Sequence, residues 1–66
     1  MMQIGTVKWY NDTKGFGFLV DEQQKDIFVH RSGLIGKQSL QPGNNVEFEV
    51  KDGEKGPTAI NVKVIK

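Results

Sequence analysis

Phe16 and Phe18 stand two residues apart in the sequence, and so do Phe28 and His30. On an extended strand, residues i and i+2 share a face. Read as strands, the two segments each put a pair of rings on one side. Gly15, Gly17 and Leu19 in the first, and Ile27 and Val29 in the second, fall on the other. If the two strands are antiparallel neighbours, the four rings form one patch, with Lys8 and Trp9 beside it. Lys14, Arg31 and Lys55 are the further cations near strand ends and turns. Rings interleaved with cations suit an unpaired nucleic-acid strand, which offers a π face on each base and a negative charge on each phosphate. Each stacked base is worth about 1–3 kcal/mol. Three or four could therefore support tight binding at the net charge of +1 left by nine Lys/Arg and eight Asp/Glu. A protein that bound mainly by neutralising phosphates would be strongly basic.

The elements that must position these residues are short strands. Gln3 to Tyr10 is rich in Ile, Val, Thr, Trp and Tyr, the residues that favour a pleated surface. Asn11 to Gly15 reads as a turn, since Asn and Asp bond locally to backbone. Phe16 to Val20 is the second strand, Asp21 to Lys25 a polar loop, and Asp26 to His30 the third strand. Ser32 to Gly43 holds Gly33, Gly36, Pro42 and Gly43, too many breakers for a helix beyond one turn near Ser32–Leu34. Asn45 to Asp52 alternates, with Val46, Phe48 and Val50 on one face. After a turn over Gly53 to Pro57, Thr58 to Ile65 is the fifth strand, with Ile60, Val62 and Val64 predicted on one face. The expected fold is all-β: a five-stranded antiparallel Greek-key barrel of the OB type, which hides the edges that an open sheet would expose. The 66 residues make a single expected domain, 1–66.

Other chemistries fit the residue types poorly. The sequence has no cysteine and one histidine, so neither a metal site nor a thiolate nucleophile is expected. Asp26 lies about 13 Å from His30 along an extended strand, too far to orient it as a catalytic base. Gly15 and Gly17 do not form a phosphate-binding loop, because no G-x-G-x-x-G precedes a helix. Neither an enzyme nor a cofactor is expected. No apolar run approaches the roughly 20 residues of a membrane span. The first residues do not read as a secretory signal, so the expected location is the cytoplasm. An aromatic patch could also dock a protein. The interleaved cations favour nucleic acid over that alternative.

The residues also carry a resemblance. Lys8-Trp9-Tyr10-Asn11, Lys14-Gly15-Phe16-Gly17-Phe18-Leu19, Asp26-Ile27-Phe28-Val29-His30, and Lys55-Gly56-Pro57 with Ala59 and Asn61 resemble, in order and spacing, the motifs of bacterial cold-shock proteins. The resemblance spans essentially the whole chain. It implies an RNA chaperone that binds single-stranded RNA and DNA with little sequence preference and so affects translation or transcription termination; a monomer is the default expectation. It also implies roles for residues. Trp9, Phe16, Phe18, Phe28 and His30 would stack bases. Lys8, Lys14 and Lys55 would contact phosphates or base edges, and Asp26 would hydrogen-bond a base edge. No small-molecule substrate is implied. Tyr10 replaces the usual Phe and is expected to be half-buried beside the patch.

Two departures stand out. Arg31 occupies a position that is usually aromatic, and its planar guanidinium can stack while carrying charge. The loop from Leu34 to Leu40 is shorter than in bacterial members and has no aromatic residue. A shorter footprint or weaker binding is expected at that end, which an aromatic at Lys37 or Gln38 would restore.

Overall fold

The computed structural model describes residues 2–36 and 39–65. Five strands, β1 (Gln3–Asn11), β2 (Phe16–Asp21), β3 (Asp26–His30), β4 (Asn45–Gly53) and β5 (Gly56–Val64), close into a barrel in the order β1-β2-β3-β5-β4. A 3-10 turn, Arg31–Gly33, follows β3. The strands pair antiparallel except where the barrel closes: β3 meets β5 in parallel, Phe28 opposite Thr58 and Val29 opposite Ala59. The all-β OB-type architecture expected from strand spacing is therefore what forms, with one parallel seam. Among the described residues, no helix is long and apolar enough to cross a membrane.

The inward positions are those the alternation of β2, β3 and β4 predicts. Val7, Leu19, Ile27, Val29, Val46, Phe48, Ala59 and Val62 form the core, and Leu40 from the long β3–β4 connection completes it. One of the six aromatic residues, Phe48, is fully buried. The turn chemistry is local. The Asn11 side chain accepts from the Lys14 backbone N–H at 2.9 Å. The Asp21 carboxylate accepts from Gln23 and Lys25 N–H groups, both at 2.9 Å, closing the β2–β3 loop.

Two β-bulges break the simple alternation. On β1, Val7 pairs with Leu19 and Trp9 with Phe18, which leaves Lys8 as an extra residue. A bulge flips the phase of the strand. Val7 points inward at 2% exposure, and Trp9, two residues on, faces outward at 40%. On β5, Phe48 of β4 lies opposite two residues, Asn61 and Val62, between the pairs Glu49–Ile60 and Glu47–Lys63. Asn61 takes a left-handed conformation, φ 52°, which Asn tolerates better than most residues. The predicted shared face of Ile60, Val62 and Val64 is corrected by this bulge. Ala59 and Val62, three apart, fill the core, and Ile60 leaves that face.

Candidate functional site

The outer faces of β1, β2 and β3 carry the rings. Phe18 pairs with Phe28 and Phe16 with His30 across β2–β3, while Trp9 pairs with Phe18 across β1–β2. This register brings four rings into a closed circuit. Trp9 lies 5.9 Å from Phe16 and 5.7 Å from Phe18 between centroids. Phe28 lies 6.0 Å from Phe16 and 5.7 Å from Phe18. Three of the contacts are tilted or edge-on, and Phe16–Phe28 is near-parallel at 30°. Such pairs hold each ring's orientation by about 0.5–1.5 kcal/mol beyond area burial. Trp9 is exposed and the three Phe rings are half-buried, with none enclosed in the core.

The glycine between Phe16 and Phe18 explains how the rings reach one surface. A Cβ on Gly17 would overlap the Trp9 carbonyl oxygen and sit 2.6 Å from the Tyr10 Cα. The close approach draws β1 onto β2 and seats Trp9 against both Phe rings. Tyr10 lies on the inner side, packed against the core. Burial raises its phenol pKa, with the Arg31 charge acting in the opposite direction and the Asp12 carboxylate reinforcing burial.

Charges surround the rings. Lys55, at the tip of the β4–β5 hairpin, holds its ammonium 5.8 Å from the Phe28 centroid, within range of a cation–π attraction. Lys55, Phe16, Phe18 and Phe28 line a shallow cavity of about 170 Å³. Lys8 Nζ bridges both oxygens of Asp26, at 3.2 and 3.3 Å. Both side chains are about half exposed, 52% each, so the pair is weak and can open to a ligand. Lys14 is exposed in the β1–β2 turn. His30 Nδ1 accepts from the Ser32 backbone N–H at 3.0 Å and lies 2.9 Å from the Ser32 hydroxyl. An amide can only donate, so the Nδ1 lone pair is engaged and the neutral ring carries its proton on Nε2, where it can donate outward. Arg31 is tied to the β1–β2 turn by its N–H, which donates to the Gly15 carbonyl at 2.7 Å.

The structure thus gathers Trp9, Phe16, Phe18 and Phe28 into direct contact and sets His30 beside Phe16. Lys55 lies over Phe28. Lys8 and Asp26 meet each other, and Lys14 and Arg31 lie at the β1–β2 turn. Sequence reasoning missed the Lys8–Asp26 pair, which joins residues 18 apart, and the bulge that turns Trp9 outward. Lys37 and Gln38, where an added aromatic was expected to extend the footprint, lie outside the described residues. Among the described residues, no group of three or more His, Asp or Glu side chains could hold a metal ion.

Comparison with known proteins points the same way. The 'Cold-shock' DNA-binding domain profile matches residues 3–65. The chain is 52% identical over 64 residues to the cold shock-like protein CspC of Escherichia coli strain K12, covering 92% of this chain and 93% of that protein. It is also 52% identical over 63 residues to the cold shock protein CspA of Staphylococcus saprophyticus, covering 92% and 96%. Among solved structures, Drosophila Unr CSD456 superposes with a TM-score of 0.81 at 28% identity over all of this chain. The chain spans about a quarter, 27%, of the length of that structure's chain.

Proposed function

The chain belongs to the cold-shock domain family of nucleic-acid-binding proteins, and we propose that it acts as an RNA chaperone that stacks unpaired bases on its four-ring surface. The supporting observation is the ring circuit itself: four aromatic side chains in mutual contact on one barrel face, none enclosed in the core. Trp9, Phe16, Phe18, Phe28 and His30 supply stacking surfaces. Lys8, Lys14 and Lys55 meet phosphates or base edges, and Asp26 accepts from a base amino or imino group once Lys8 releases it. Arg31 extends the surface at the turn.

The mechanism is mass action. The protein binds open strand and not duplex, so it shifts RNA pairing toward the open state in proportion to that difference in affinity. Translation or transcription termination then responds to the changed pairing. The work is binding without catalysis, by a single-domain monomer in the cytoplasm on RNA or single-stranded DNA, and it needs no cofactor or small-molecule substrate.

Titration with oligo-dT, read by Trp9 fluorescence, tests the reading. Stacking quenches Trp9. The affinity falls only mildly with salt, because few phosphates are neutralised, and it drops in Phe16→Ala and Phe28→Ala. A steep salt slope with both variants binding like wild type would overturn the stacking mechanism.

A further inference from the structure

We infer that the outer face carries a further nucleobase subsite beyond the rings, selective for bases with an exocyclic amino group. The inference rests on the proposed stacking function and extends it past the Lys8–Asp26 pair.

Val20 lies two residues beyond Phe18 on β2 and so shares its outer face. It pairs with Thr6 of β1 on one side and with Asp26 of β3 on the other. The outward row Thr6–Val20–Asp26 therefore follows the Phe18–Phe28 row by two strand residues, about 7 Å. At this row a cavity of about 380 Å³ opens, more than twice the volume of the one between the rings. Ile4, Thr6, Val20, Glu22, Gln24 and Asn45 line it. Thr6 and Val20 are half-buried, and the other four are exposed.

The loop that supplies Gln24 is held against local preference. Gln24 has φ 64°, a left-handed conformation that glycine and asparagine enter more readily. Asp21 keeps it there. The Asp21 carbonyl accepts from the Gln24 N–H at 3.0 Å, and the Asp21 N–H donates to the Lys25 carbonyl at 3.1 Å. Its Oδ1 accepts from the Gln23 and Lys25 N–H groups, both at 2.9 Å. Backbone strain fixed by its surroundings is a mark of ligand clamps, and here it sets a glutamine in a cavity wall. The wall chemistry selects the occupant. Among the described residues that line the cavity, none is Lys or Arg, and Glu22 repels a phosphate. Acceptors are available on the Glu22 carboxylate and the Gln24 amide, beside the apolar side chains of Ile4 and Val20. A carboxylate accepts from cytosine N4, and a side-chain amide matches adenine N6 and N7. Thymine and uracil have no amino group to offer. The Thr6 hydroxyl donates to Asn45 Oδ1 at a long 3.5 Å, a contact that an entering base can replace. Unpaired strands leave these base edges open to protein.

The test uses the intact chain and thymine hexamers lengthened by one nucleotide at either end, read by Trp9 quenching. At one end, adenine or cytosine should tighten binding about fivefold or more over thymine at the same position. Unsubstituted purine, which lacks the amino group of adenine, should bind there no better than thymine. Gln24→Gly and Glu22→Ala should each lose most of the gain and bind the all-thymine hexamer as wild type does. Gln24→Gly should keep or raise the urea midpoint, because glycine suits φ 64°, so its lost gain cannot come from unfolding. A gain that survives in both variants, or that unsubstituted purine reproduces, would overturn the subsite. So would the absence of any adenine or cytosine gain at both ends in the wild type. Failure of the all-thymine hexamer to quench Trp9 would instead count against the stacking function beneath it.

Discussion

Replacing Phe28 by leucine isolates the π face from the apolar bulk that carries it. Phe28 touches two rings, Phe16 at 6.0 Å and Phe18 at 5.7 Å, lies under the Lys55 ammonium and lines the 170 Å³ cavity. Leucine keeps much of the apolar volume but cannot stack a base or attract the cation. If one base stacks on Phe28, the loss is about 1–3 kcal/mol, or roughly 5- to 150-fold in Kd. The same change removes two ring–ring contacts worth about 0.5–1.5 kcal/mol each, so folding stability falls by about 1–3 kcal/mol. A chain of this length has roughly 3–10 kcal/mol in total, so the folded fraction of the variant is measured before its binding is read. The assay is oligo-dT titration by Trp9 fluorescence at low temperature, with urea unfolding of the same sample. Binding of Phe28→Leu within twofold of wild type would refute the claim that its ring is a stacking surface, whatever happened to stability.

Three further outcomes follow from packing and charge. Gly17→Ala should lower stability by about 1–3 kcal/mol or more, seen as a lower urea midpoint, because its Cβ meets backbone atoms of Trp9 and Tyr10 that cannot move without opening β1–β2. A double-mutant cycle of Lys8→Met and Asp26→Asn should give a coupling below about 1 kcal/mol in unfolding, since both groups are half exposed. Oligonucleotide affinity should fall in each single variant, measured by titration. The raised Tyr10 pKa means the fold favours the neutral phenol. That stability is complete below the unfolded-state value and is lost as pH rises through the higher folded-state value. As pH rises above the ordinary tyrosine value of about 10, wild type should lose more stability than Tyr10→Phe in urea titrations. Parallel curves would contradict the sign.

The parts of the fold written in strict alternation were legible in the sequence. Val46 and Phe48 face inward as the pattern of β4 predicts, and Phe16, Phe18 and Phe28 face outward as those of β2 and β3 predict. Periodicity stops being informative where a residue is inserted. Nothing in the composition of β1 marks Lys8 as an extra residue, since its cost and benefit depend on how β1 bends around the barrel. Asn61 carries a faint signal, because Asn enters the left-handed region more readily than other residues, but it sits in a segment that otherwise alternates. Lys8 with Asp26 and Lys55 with Phe28 are non-local pairs. They depend on strand register and on closure of β3 onto β5, neither of which is fixed by residue types alone.

The division of aromatics between inside and outside connects folding to binding. The barrel buries Phe48 completely and leaves Trp9, Phe16, Phe18 and Phe28 facing out. Burying apolar surface is worth about 25 cal/mol per Å², so half-exposed rings contribute only part of that free energy to folding. The remainder is available when a base covers them. Both bulges serve this division: the one at Lys8 moves Trp9 outward, and the one at Asn61 lets Ala59 and Val62 fill the core in place of a bulkier alternating set. On the proposed mechanism, a chain with balanced charge binds a polyanion because its affinity comes from uncovered rings. Increasing the burial of those rings by substitution should stabilise the barrel and weaken oligonucleotide binding together.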